Sequence, residues 1–181
     1  RIGNEVFSVP GVYAGTFKRK GTGWVDRTII ELTPADINRL SVETGGDTFT
    51  LVASGTGWTL HEPSVLPAGF RFDKDAAADL VTAFTKLRVR EFIEVTPDEK
   101  RTGLGEGATV IRVERKGSDE QALVLRVGTE QAGDTVYASL STGDTFTISE
   151  HAAAKWTKGL GVVRDLGLLR FDPQRVQEVT I

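Results

Sequence analysis

The sequence predicts an α+β fold: antiparallel strand meanders, each followed by a helix packed on the sheet, arranged as two similar halves of a tandem-repeat fragment. Three observations carry this expectation. Residues 4–42 align without a gap onto residues 143–181, at a constant offset of 139. Short β-branched runs separated by turn residues dominate the chain. One long stretch, residues 73–89, instead places its apolar residues at helical spacing.

The end-to-end match has few strict identities: Phe7 with Phe146, Ala14 with Ala153, Asp26 with Asp165 and Pro34 with Pro173. The apolar pattern agrees better. Ile29-Ile30-Glu31-Leu32 falls on Leu168-Leu169-Arg170-Phe171, and Phe17 falls on Trp156. A shared pattern of buried positions implies shared backbone geometry, because the local period fixes side-chain direction. The chain therefore reads as one repeat period plus the opening of the next, cut from a longer protein. On this reading residues 1–35 end a preceding unit and 36–96 form the first strand–helix half. Residues 97–107 are a junction loop, 108–171 the second half, and 172–181 the start of the next unit.

Taken in order, residues 10–19 must match a helix at 149–158 by the repeat, although Val12, Tyr13, Thr16 and Phe17 favour strand. Residues 28–32, 37–43, 48–53 and 57–61 read as strands. The last two are joined by Ser54-Gly55-Thr56, a connection of hairpin length. Helix 73–89 can be capped by Asp73 or Asp75 and turns Ala76, Ala77, Leu80, Val81, Phe84 and Leu87 to one face. Lys86, Arg88 and Arg90 then sit where cations complement the helix dipole. Residues 92–95 return as a strand. Strands at 109–114, 122–127, 136–140 and 145–149 form a second meander. Ser149 caps a short helix, 150–158, with Ala152, Ala153 and Trp156 inward. Residues 176–181 open another strand, expected to pair back onto the sheet or to stand as an exposed edge.

Composition narrows the chemistry. The net charge of −3 shows no basic excess, so no nucleic-acid partner is expected. Cysteine is absent, which removes disulfides, thiolate nucleophiles and zinc–thiolate sites. There are 2 histidines, His61 and His151, and neither sits in a recognisable catalytic pattern. No apolar run approaches the roughly 18–20 residues of a membrane span.

The candidate sites all have plain structural accounts. Gly103-Leu104-Gly105-Glu106-Gly107 precedes a strand and lacks the Gly-Lys-Ser/Thr of a phosphate loop. Asp73, Asp75 and Glu62 lack the ligand spacing of a calcium loop, and capping explains Asp73 or Asp75 better. Asp98 and Glu99 read as a solvated loop. Asp26 and Asp165 are kept by the repeat and are expected to cap or to bond a neighbouring arginine (Arg27, Arg164), as structural positions usually recur where catalytic ones need not. Phe7, Phe146, Pro34 and Pro173 are structural repeat positions on the same ground. Trp24, Trp58 and Trp156 are the weak candidates for a ligand-binding face, against core packing. No catalytic residue, metal ligand or cofactor site is assigned.

The order of features resembles the bacterial family called domain of unknown function 4340. The motifs are Asp36-Ile37-Asn38-Arg39-Leu40-Ser41-Val42, Trp58-Thr59-Leu60, the helix 73–89, Gly103-Leu104, Leu125-Arg126-Val127-Gly128, Val136-Tyr137, Phe146-Thr147-Ile148 and Arg164-Asp165. The proline expected soon after Gly103-Leu104 is missing. The resemblance implies a membrane-anchored bacterial protein with an extracytoplasmic body, its anchor outside this fragment. It further implies association with ABC transporters of the gliding-motility type, with transporter subunits as protein partners. It carries no catalytic residue.

The expected function is a non-enzymatic extracytoplasmic binding or scaffold module, accessory to an ABC transporter or cell-envelope machine. The alternatives are an oligosaccharide or small-ligand-binding domain with an exposed tryptophan, and an unrecognised hydrolase.

Overall fold

The structure, a computed structural model, describes residues 26–94, 98–117 and 121–167. Eight strands lie in it: β1 Ile37–Thr44, β2 Asp47–Ser54, β3 Gly57–Glu62, β4 Glu91–Phe92, β5 Thr109–Arg115, β6 Leu123–Ala132, β7 Thr135–Leu140 and β8 Thr145–Ser149. They form one sheet in the order β3-β2-β1-β5-β6-β7-β8-β4, antiparallel throughout. The helices are α1 Lys74–Thr85, α2 Glu99–Thr102 and α3 Glu150–Ala153, with 3-10 turns at Pro34–Asp36 and Gly159–Val163.

This corrects the α+β expectation: the fold is mainly β. A helix does not follow each meander as a packed layer. Among the described residues only α1 has the length for that, and α3 stops after 4 residues. The chain passes from α3 through turns to Gly159, whose φ of 58° no continuing helix allows. The two halves do not stack as separate layers either. β1 pairs with β5, setting Leu40 beside Val113 and Val42 beside Ile111, so both meanders share one sheet.

Two further expectations differ from the structure. Residues 28–32 make only an isolated bridge, Thr28 with Arg88. The helix read over 73–89 ends at Thr85: Lys86 is its C-cap, and from Val89 the backbone bonds instead to Arg27 and to Thr147 of β8.

Alternation sorts the sheet into two faces. Leu40, Val42, Phe49, Leu51, Ile111, Val113, Leu125 and Val127 are buried on one face and join Ala77, Leu80, Val81 and Phe84 of α1 in a single core. The other face is polar. Arg39 pairs with Glu114 at 3.6 Å and Arg112 with Glu43 at 3.2 Å. Thr50 is bonded to Ser41 on one side (3.0 Å) and to Glu62 on the other (2.9 Å).

The remainder of the end-to-end repeat, with Phe7, Trp24, Pro173 and strand 176–181, lies outside the described residues. Among the described residues, no helix is long and apolar enough to cross a membrane.

Candidate functional site

The site begins where α1 stops. Asp73 opens α1 by accepting the Asp75 and Ala76 N–H groups at 2.9 and 3.0 Å. After Thr85 the sequence Lys86-Leu87-Arg88-Val89-Arg90 alternates charged and apolar residues. That period suits an extended chain, and the backbone bridges to Thr28 from Arg88 on. Lys86, at φ −101° and ψ 14°, is still the C-cap of α1 and donates its N–H to the Thr82 carbonyl at 3.0 Å. Val89 N–H donates to the Arg27 carbonyl at 3.1 Å, and Arg90 N–H donates to the Thr147 carbonyl of β8 at 2.8 Å. Leu87 and Val89 are thereby buried, while Lys86, Arg88 and Arg90 are exposed.

The facing wall comes from α3 and the turn after it. Ser149 caps α3 by accepting the Ala152 N–H at 3.3 Å. Ala153 and Trp156 turn into the core, and His151 and Lys155 stay exposed. Between the walls runs a groove of about 650 Å³ with Trp156 at its base. Arg27, Lys86, Arg88, Arg90 and Lys155 line it with His151, against a single acid, Asp79.

Among the described residues, none of those five cations forms an ion pair; the three pairs present are Arg39–Glu114, Arg71–Asp165 and Arg112–Glu43. Arg88 helps hold the Asp26 carboxyl below its ordinary value, behind the larger effect of the hydrogen bonds from Thr28. Clustered charge of one sign in a recess raises the local concentration of counter-charged ligand. The arrangement can therefore bind anions. A whole-chain charge of −3 conceals it.

The residues singled out in the sequence fall elsewhere or play local parts. Trp58 and Trp156 are 7% and 1% exposed and belong to the core. Neither offers a ring to a sugar. Phe146 is buried and meets Phe92 at 6.4 Å. Asp26 accepts the Thr28 N–H at 2.9 Å and Asp165 the Gly167 N–H at 2.8 Å, the same two-residue turn at matched positions. The arginine that Asp165 pairs with is Arg71, at 3.6 Å, across an isolated bridge between Phe72 and Arg164.

Pro34 starts the 3-10 turn that leads into β1. Asp98 is no bare loop carboxylate: it caps α2 by accepting the Arg101 N–H at 2.9 Å. Glu62 bonds Thr50, apart from Asp73 at its cap, and no group of three potential metal ligands occurs among the described residues. His61 is exposed on β3. His151 reaches the groove, a placement its sequence context did not suggest. The signal that could have found the groove was the charged–apolar alternation at 86–90, which the helix reading absorbed.

The family model for Domain of unknown function (DUF4340) matches residues 2–107. No curated protein and no solved structure matches the chain.

Proposed function

The chain belongs to the DUF4340 family, and we propose that this member is a non-enzymatic binding module whose basic groove holds an anionic group of its partner. The observation behind this reading is the groove itself: five Lys and Arg side chains and one histidine against one acid, between α1 and α3. The long alternating sheet and its single core give those walls a rigid base, which favours recognition by fixed charges.

We further propose that the module works outside the cytoplasm in a membrane-anchored bacterial protein, accessory to an ABC transporter or other cell-envelope machine. The family resemblance is what supports that setting. The oligosaccharide alternative has no support from Trp58 or Trp156, since both rings are buried.

The test is purification of the full-length anchored protein from its native membrane, as wild type and as the triple variant K86Q/R88Q/R90Q. Transporter subunits that accompany the wild type and leave the variant are the expected result. Equal recovery with both proteins, or the protein alone with a bound glycan, overturns the reading.

A further inference from the structure

The two edges of the sheet are built differently. β4 closes one side with 2 residues, Glu91 and Phe92, next to Arg90. β3 closes the other with 6, Gly57–Glu62. Edge strands are commonly guarded against stray pairing by shortness, charge, proline or a bulge. β4 has the first two guards. Residues 57–60 of β3 have neither charge nor proline, and the bulge against β2 falls beyond Leu60.

The hairpin register decides which groups β3 leaves open. Ser54 and Gly57 flank the short turn Gly55-Thr56, which makes them a hydrogen-bonded pair. Bonded and non-bonded pairs alternate from there. Gly57 and Thr59 therefore bond β2, while Trp58 and Leu60 turn their N–H and C=O groups outward. Among the described residues, no strand pairs with that side. Trp58 and Leu60 pack with the core. Thr59 is exposed on the open face, its hydroxyl donating to the Val52 carbonyl at 3.3 Å.

About Thr59 this pattern is the same in both directions, apolar residue for apolar residue. An antiparallel copy centred there sets Trp58 opposite the partner's Leu60, and Leu60 opposite the partner's Trp58. The open backbone groups of each copy then satisfy those of the other. An aromatic ring meets an aliphatic side chain on the core face, and no like charges oppose each other along residues 57–61. A contact between two copies about a two-fold axis needs such self-complementarity. A foreign strand would have to bring the same apolar spacing from elsewhere.

We infer that the β3 edge is where two copies of this chain pair, joining their sheets antiparallel about Thr59. No residue of β3 lines the basic groove, so the inference stands apart from the groove reading.

The experiment is sedimentation equilibrium of wild type, T59K, T59E and an equimolar mixture of the two variants, across the micromolar range. Thr59 and the partner's Thr59 would form a non-hydrogen-bonded pair, with α-carbons about 4.5 Å apart. A second arm uses T59C and S54C. The chain has no cysteine, so each variant carries a single thiol. A fluorescent peptide of unrelated sequence, alternating Thr and Val, represents a foreign strand.

The wild type should dimerise reversibly. T59K and T59E alone should each lose at least tenfold in dimer affinity, and their mixture should regain it, all with the wild-type circular dichroism spectrum. On mild oxidation T59C should form a disulfide-linked dimer at least tenfold faster than S54C, whose residue is also exposed. A wild type that stays monomeric throughout, or a dimer whose affinity T59K and T59E leave unchanged, overturns the inference. So does a monomeric wild type that binds the Thr–Val peptide and loses it in T59K, which would make the edge a dock for another protein's strand.

Discussion

Phe84 of α1 meets Trp156 edge to face, with ring centroids 6.2 Å apart and planes at 87°. The contact joins the last turn of α1 to the segment after α3, and so fixes the two walls of the basic groove against each other. Both rings are fully buried. F84A or W156A should each lower stability by about 3–5 kcal/mol, the usual cost of deleting a buried aromatic. Chemical denaturation measures this. The exposed K86Q change should stay within about 0.5 kcal/mol of wild type.

Thr50 is 1% exposed on the otherwise polar sheet face, and its hydroxyl links Ser41 to Glu62 across three strands. T50V keeps the shape and removes both bonds. The loss should be about 1 kcal/mol, since Glu62 is exposed and regains water. A shift of the urea midpoint at constant slope is the readout.

Gly128 of β6 lies against the carbonyl of Thr102, where α2 crosses the strand; a β-carbon added there would collide with that oxygen. Thr129 N–H also donates to the Gly103 carbonyl at 3.3 Å, so the approach is backbone to backbone. G128A should destabilise by about 1–3 kcal/mol through overpacking. Hydrogen exchange should rise first in residues 99–107.

Asp36 accepts bonds from the Thr33 hydroxyl (2.7 Å) and the Thr33 N–H (2.8 Å), closing the turn that starts β1. These bonds favour the charged form and lower the carboxyl below its ordinary 3.8. The sign follows: a depressed folded-state value adds stability above pH 3.8, which is lost as pH falls through the folded value. D36A should therefore be less stable than wild type at neutral pH, with the gap closing in strong acid. Melting temperatures of both proteins from pH 7 to pH 2 test it.

Much of the strand pattern was legible because alternation is a local property: β1, β2, β3 and β5 to β8 all fall on predicted runs. Asp73 and Ser149 were legible as caps, since an N-cap needs only one side chain and its nearest N–H groups. The layer arrangement was not. Whether β1 pairs with β5 depends on contacts 70 or so residues apart, which no local period records.

The groove was hidden for a related reason. Lys86 does cap the end of α1, but Arg88 and Arg90 also fit a helix terminus by the dipole argument, and their true conformation depends on Arg27 and Thr147, far away in sequence. Asp165 shows the same limit: its turn to Gly167 is local and readable, whereas Arg71 reaches it only through the fold.

The basic groove as a binding site is most directly tested by a nitrogen-15 NMR titration of the full chain with a short polyglutamate peptide as the anionic probe. The account predicts that the largest shift changes fall in residues 86–90 and 149–156, on both walls. Changes centred instead on Arg39, Arg112 and Arg126, on the open face of the sheet, would contradict it.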